Sequence, residues 1–251
     1  MIEGPPIQLF KMRLKLILLG AGLLTTLTTP AADLPAPGIT EPFLDVIVSA
    51  SVPGIVSARK LQEGDFAQEG QAILELDKRL EELETERRRL LMEQKKSDYE
   101  GTAALFKSTK SVSKDDLEKK EVDYRVAVAE HGIAVEQLRR RSITAPISGT
   151  ITEILLDPGE ACQPYQPVLR LVDTRRCYFI TNLEIKSADR LKLNAAVKLE
   201  IETGGAPALV EGRVSFLSPV VDPASGLFKV KVLFENPDGR IRPGVAGKLL
   251  F

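Results

Sequence analysis

One stretch of this chain is written twice. "ASVPGIVSARKLQEGDFAQEGQAILELD" runs from Ala50 to Asp77, and "APISGTITEILLDPGEACQPYQPVLRLV" runs from Ala145 to Val172; the two align without a gap. Each copy has a glycine after its opening strand (Gly54, Gly149), a second at the next turn (Gly64, Gly159), and then a Gln with alternating leucines (Gln71, Leu74, Leu76; Gln166, Leu169, Leu171). Glycine supplies turn geometry without a Cβ clash, and apolar residues at every second position mark half-buried strands. Each copy is therefore one supersecondary unit with an apolar face too small to bury alone. The simplest fold pairs the copies into a small sandwich and extrudes everything between them. The copies differ at one turn, where Tyr165 stands in the place of Gly70.

From Lys78 to Arg141 the chain has no proline and is rich in Glu, Lys, Arg, Leu and Ala, all good helix formers. Asp77 is positioned to cap a first helix running to about Thr109. Ser113, with Asp116 three residues on, opens a second running to about Arg140 and leaves "STKSV" as the tip. In the second helix Leu117, Glu121, Tyr124, Val128, His131, Val135 and Leu138 keep a three-four spacing and are expected to form a coiled-coil seam. Leu80, Leu83, Leu90, Ala104 and Leu105 are the matching positions of the first helix, diluted by Gln94 and Gly101. Helices of this length rise about 45 Å at about 1.5 Å per residue, and an antiparallel pair returns the chain to its starting point. His131 reads as a packed seam residue rather than a pH sensor.

After "LRLVD" the pattern is one of separate short strands. "LFKVKVLFEN" alternates strictly, with Phe228, Val230, Val232 and Phe234 on one face, and "NPDG" at Asn236–Gly239 is a turn signal. Short strands with regular turns predict a small antiparallel β-barrel. At the other end, Lys11, Arg13 and Lys15 precede the apolar run Leu16–Leu27 and the small residues Ala31 and Ala32. That order marks an export signal, cleaved near Ala31 or Ala32, or kept as an N-terminal membrane anchor. The proline-rich "PAADLPAPGITEPF" reads as an extended lead-in. The expected organisation is an export signal or anchor over 1–32, a split sandwich over 39–77 and 142–174, a hairpin over 78–141, and a barrel over 175–251. The fold class is mainly β with an inserted α-helical coiled-coil hairpin.

Composition narrows the function. A net charge of −1 and the absence of tryptophan disfavour a nucleic-acid binder, which needs a basic field and stacking surfaces. With one histidine, three methionines, and Cys162 and Cys177 at no zinc-like spacing, no metal site is expected. The two cysteines read as small buried hydrophobes; a disulfide is the alternative in an exported protein. No paired carboxylates, nucleophile motif or phosphate-cradling loop suggests an enzyme, and no cofactor is expected.

"VDPASGLFKVKVLFENPDGRIRPGVAGKLLF" is similar to the barrel signature of the periplasmic adaptors, or membrane fusion proteins, of bacterial tripartite efflux pumps and type I secretion systems. The repeated glycine motif resembles their lipoyl-like barrel-sandwich hybrid domain split by a helical hairpin, and "RRRSITAPISGTITE" resembles the strand that re-enters its second half. The resemblance implies a non-catalytic ring-forming adaptor between an inner-membrane transporter, of resistance-nodulation-division (RND) type first, and an outer-membrane channel. It places the protein in the periplasm, associated with the inner membrane. Type I secretion or an ATP-driven exporter is the alternative setting. Adaptors of RND pumps commonly continue into a membrane-proximal domain, whereas this chain ends at Phe251 as the barrel closes. A lipoyl- or biotinyl-type carrier modified at Lys78 is a reading from a different class, opposed by the helix that begins at that point.

The resemblance also supplies candidate channel contacts at the hairpin tip: Phe106, Lys107, Thr109, Lys110 and Ser113. Many members carry Arg, Leu and Ser there; Ser113 matches the serine, Phe106 stands in the leucine's place and Thr102 in the arginine's.

Overall fold

The computed structural model describes Met1 and residues 35–188 and 190–250. Apart from Met1, the export signal or anchor expected over residues 1–32 lies outside the described residues. The elements in chain order are β1 (Pro35–Ser49), β2 (Gly54–Arg59), β3 (Phe66–Ala67), β4 (Ala72–Leu76), α1 (Arg79–Ser108), α2 (Lys114–Arg139), β5 (Ser142–Thr144), β6 (Gly149–Ile154), β7 (Ala161–Cys162), β8 (Pro167–Glu184), α3 (Ile185–Ala188), β9 (Ala196–Ile201), β10 (Ala208–Val221), β11 (Leu227–Glu235) and β12 (Ala246–Leu250).

The two copies interlock. β2 pairs with β7 and β3 with β6, so each copy lends its short strand to the other. The main-chain bonds between them come in matched pairs. Val56 N donates to Glu160 O (2.9 Å), as Ile151 N does to Asp65 O (3.0 Å). Gly64 N donates to Ile151 O (2.8 Å), as Gly159 N does to Val56 O (2.8 Å). Gly70 N donates to Ala145 O (2.8 Å), as Tyr165 N does to Ala50 O (2.7 Å). Each bond maps onto its mate when the copies are exchanged, which is a pseudo-twofold. The repeated glutamines serve the same turns: Gln71 Oε1 accepts from Gln68 N (2.9 Å) and Gln166 Oε1 from Gln163 N (2.8 Å). Val56, Ile73, Leu74 and Leu76 of one copy and Ile151, Val168, Leu169 and Leu171 of the other share a single buried core.

The repeated glycines divide by physical role. Gly64 and Gly159 have φ of +91° and +96°, a region that L side chains enter only with strain. Gly149 opens β6, where a Cβ would sit 2.6 Å from the carbonyl oxygen of Val172. Close approach, rather than turn geometry, excludes a side chain there. Gly54 faces side chains instead, with Arg141 Nη1 at 3.0 Å and the Leu76 Cδ1 at 3.2 Å from a Cβ.

The C-terminal strands close a barrel in the order β1-β12-β9-β10-β11-β8, and β8 pairs back onto β1. The lead-in read from the proline-rich stretch is thus a barrel wall: residues 35–39 pair with β12 and residues 38–42 with β8, before the same strand continues into the sandwich. Without this half of β1 the gap between β12 and β8 would stay open. The alternation of Ala36, Gly38 and Thr40 with outward residues carries that wall. Prolines 35, 37 and 42 mask it in a sequence reading, since proline removes ladder donors. Gly38 and Gly247 are register partners, and the Phe179 ring packs where their side chains would be. Around it Leu199, Ile201, Val214, Val230, Val232, Phe234 and Leu249 form a second core that shares no residue with the first. No helix among the described residues is long and apolar enough to cross a membrane.

Candidate functional site

The hairpin is the part of the fold that neither core explains. α1 and α2 leave the sandwich where Leu76 N donates to Arg141 O (2.8 Å) and Arg141 pairs with Glu81. The helices are held by contacts between themselves. Thr85 Oγ1 donates to Ala134 O (3.2 Å), Arg88 pairs with Glu130, Lys120 lies 3.7 Å from Asp98, and Tyr99 stacks on Tyr124 with centroids 6.2 Å apart. Asp77 meets its expected role in part, since its Oδ1 accepts from Arg79 N (3.1 Å), while Lys78 occupies the N-cap position. Ser113 is the N-cap of α2, accepting from Asp116 N (3.0 Å) and donating to Asp116 Oδ2 (2.7 Å).

The seam departs from the expected positions along α1 and only in part along α2: Leu117, Glu121, Tyr124, His131 and Leu138 are partly buried as expected, but Ala127 and Ala134 take the places read for Val128 and Val135. The only fully buried hairpin residues are Ala127 and Ala134, whereas Val128 and Val135 are 41% and 44% exposed. Along α2 the inward line runs Leu117, Tyr124, Ala127, His131, Ala134, Leu138; along α1 it runs Glu81, Thr85, Arg88, Met92, Lys95, Tyr99, Thr102, Phe106. Leu80, Leu83, Leu90 and Leu105 point away, each more than half exposed. Small alanines let the helices approach closely, and long polar side chains of α1 close over them. Counting large apolar residues selects the outer face of α1 and, at Val128 and Val135, of α2. The signal for the true register was the Ala127/Ala134 heptad pair and the charge match of Arg88 with Glu130.

At the tip, Phe106 is half-buried against α2 and Lys107 is exposed in the last turn of α1. Thr109 Oγ1 donates to Leu105 O (2.9 Å) and lies 2.7 Å from Ser111 Oγ. Lys110 is exposed with φ of +52°, which turns the chain into α2. The five candidates are therefore close in space but unequal: Ser113 and Phe106 have structural work, while Lys107 and Lys110 are free to meet another surface.

Other candidate groups have ordinary surroundings. Cys162 sits in the sandwich core and Cys177 in the barrel core, both unbridged; burial pushes the Cys177 thiol up to about 11. Lys78 lies at the helix start with its Nζ 3.4 Å from Glu75, not at the apex of a tight strand turn. No cluster of three metal-ligating side chains occurs among the described residues.

The family profile described as "RND MFP, barrel-sandwich hybrid domain" matches residues 45–174, more than half of the 251 residues. The chain belongs to the RND membrane fusion protein family. The match spans both copies and the hairpin between them. The solvent efflux pump periplasmic linker SrpA of Pseudomonas putida is 26% identical over 242 residues, covering 88% of this membrane fusion protein and 60% of the relative. Multidrug resistance protein MexA of Pseudomonas aeruginosa is 28% identical over 245 residues, covering 83% and 58%. The curated relatives are longer, and the chain spans between 52% and 60% of the length of the first four. A MacA–MexA chimera containing the Pseudomonas aeruginosa MexA α-hairpin domain shares the fold, with a TM-score of 0.75 at 17% identity over 87% of this chain and 78% of that one.

Proposed function

We propose that this membrane fusion protein is a non-catalytic periplasmic adaptor, linking an inner-membrane transporter of the RND class to an outer-membrane channel for export of small molecules. The observation that carries the reading is the split sandwich itself. Its two halves lock around a helical hairpin of about 45 Å at about 1.5 Å per residue, and the tip carries free cationic side chains. An arm of that length, braced at its base and held by its own seam, is suited to spanning a gap. Curated relatives are described as periplasmic linkers of solvent, toluene and multidrug/solvent efflux pumps, which supports small molecules as the cargo class.

The outer faces of the hairpin support a ring of copies as part of this reading. Leu83 and Leu90 lie on the side of α1 away from α2, while Val122, Val126 and Ile133 lie on the side of α2 away from α1; all are more than half exposed. Because Thr85 meets Ala134 and Arg88 meets Glu130, Ile133 falls in height between Leu83 and Leu90, and Val126 falls just beyond Leu90. One hairpin's α1 face and a neighbour's α2 face thus offer interleaved apolar layers. Such an unlike-to-unlike contact generates rings when it closes.

The test is site-specific photocrosslinking in cells, with the photoreactive residue at Lys107 or Lys110 and, separately, on the barrel at Glu211. The tip positions should capture an outer-membrane channel and the barrel position an inner-membrane transporter. Charge reversal at both lysines should lower export while the protein accumulates normally. Full export with both reversed, and no channel captured at either site, would remove the tip from the proposal.

A further inference from the structure

The sandwich and the barrel have separate cores, and two strands, β1 and β8, run through both bodies. At the passage between them the ladder breaks. Pro42 pairs with Cys177 and Leu44 with Asp173, so β1 spends one residue, Phe43, where β8 spends three: Thr174, Arg175 and Arg176. An unequal bulge in a two-strand bridge is where a hinge belongs, because it removes ladder bonds and bends the ribbon.

The three extra residues are nevertheless tied to both sides. Arg175 reaches back to the sandwich. Its Nε and Nη2 donate to Asp173 Oδ1 (2.9 Å) and Oδ2 (2.8 Å), its Nη2 donates to Ser148 O (3.3 Å), and its guanidinium lies 5.6 Å from the Phe66 ring centroid. The carbonyls of the same bulge are held from the barrel. Asn236 N donates to Arg175 O (2.7 Å) and Asn236 Nδ2 to Thr174 O (2.9 Å). Asn236 is itself buried and bracketed by Ile241, accepting from its N–H (3.2 Å) and donating to its carbonyl (2.9 Å). Arg176 turns to the barrel's outer surface, its guanidinium 3.7 Å from the Phe43 ring centroid. Phe43 stacks on Tyr178 at 5.6 Å, and Lys231 lies 5.5 Å over that ring.

We propose that Arg175 and Arg176 form a two-armed latch that fixes the angle between the sandwich, with its hairpin, and the barrel. Arg175 clamps the bulge to the sandwich end, and Arg176 clamps Phe43 to the barrel's outer face. A bidentate guanidinium–carboxylate pair defines an orientation as well as a distance, and lysine cannot reproduce it. The latch therefore sets the direction in which the hairpin leaves the barrel, whatever binds at either end.

The test uses the purified chain with spin labels at Ser51→Cys in the sandwich and Glu211→Cys in the barrel, both exposed sites; the two native cysteines are buried. Pulsed dipolar spectroscopy should give a single narrow distance distribution for the otherwise unaltered protein. Arg175→Ala with Arg176→Ala should give a broad or multimodal one, with far-UV circular dichroism unchanged. Arg175→Lys alone should broaden it as well, and Arg240→Ala, on an exposed turn, should not. If the double alanine variant does not fold, Arg175→Lys and Phe43→Leu carry the test. A distribution as narrow and as centred as the parent's in the folded latch variants would overturn the proposal.

Discussion

Gly54 and Gly149 hold the same place in the two copies, and the structure predicts that they tolerate a side chain differently. At Gly149 a Cβ would lie 2.6 Å from Val172 O and 2.9 Å from Val172 C, both backbone atoms of the neighbouring strand. That is well inside van der Waals contact, so β6 and β8 must move apart where Thr150 pairs with Val172. Overpacking of this kind costs about 1–3 kcal/mol, and a rigid backbone neighbour places Gly149→Ala at the upper end. For a body of this size, 2–3 kcal/mol corresponds to a fall in Tm of about 4–12 °C. At Gly54 the nearest atoms belong to the Arg141 and Leu76 side chains, at 3.0 and 3.2 Å, and these need to give by only a few tenths of an ångström. Restricting the unfolded chain returns about 0.4–1 kcal/mol, so Gly54→Ala should be close to neutral. Thermal unfolding by calorimetry, run on both variants under one condition, measures the difference. Equal losses would refute the argument, because they would mean that the repeat position, not the contact, sets the cost.

Three further outcomes are expected. Tyr165 has φ of +65° in the turn where its counterpart Gly70 has φ of +82°, and it is 86% exposed. Tyr165→Gly should therefore raise Tm, by relieving about 1–2 kcal/mol of left-handed strain against a smaller glycine entropy cost; a drop in Tm would show that the ring has a packing role. In the hairpin, Ala127→Leu should cost about 1–3 kcal/mol by forcing the helices apart, while Val128→Ala should stay within about 0.5 kcal/mol. The reverse order in thermal melts followed by helical circular dichroism would restore the seam read from the sequence. Finally, the hydrogen bonds from Arg170 to Asp45 and from Arg175 to Asp173 hold both carboxyls below their ordinary value. Their stabilisation is complete above the unfolded value near pH 4 and is lost as pH falls through the lower folded values. Tm should be flat from about pH 8 to 5 and drop below about 4, less steeply in Asp173→Asn; a decline between pH 8 and 6 would point to other groups.

Local pattern carried much of the architecture. The repeat announced the sandwich because Leu74, Leu76, Leu169 and Leu171 alternate on either side of fixed turns, and strand periodicity is a property of consecutive residues. The loss of proline after Asp77 and the Ser113/Asp116 spacing announced the hairpin and its second start for the same reason. "LFKVKVLFEN" announced β11. The seam was legible only in part: Leu117, Tyr124, His131 and Leu138 of α2 lie inward as read, whereas Val128, Val135 and the α1 leucines do not. Whether Ala127 or Val128 faces α1 depends on which helix faces are opposed, and Arg88 and Lys95 cover the seam with stems that composition scores as polar. The candidate tip was legible only through resemblance; nothing in "STKSV" distinguishes a contact surface from a loop.

The sequence alone determined two complementary strand sets, a helical excursion between them and a run of barrel strands, because each of these is encoded by spacing along the chain. Tertiary structure alone decided that β1 belongs to both bodies, that Phe179 packs over Gly38 and Gly247, and that Arg175 and Arg176 grip opposite sides of one bulge. Those contacts join residues far apart in the chain, and their partners exist only once the two cores have closed and brought β1 against β8.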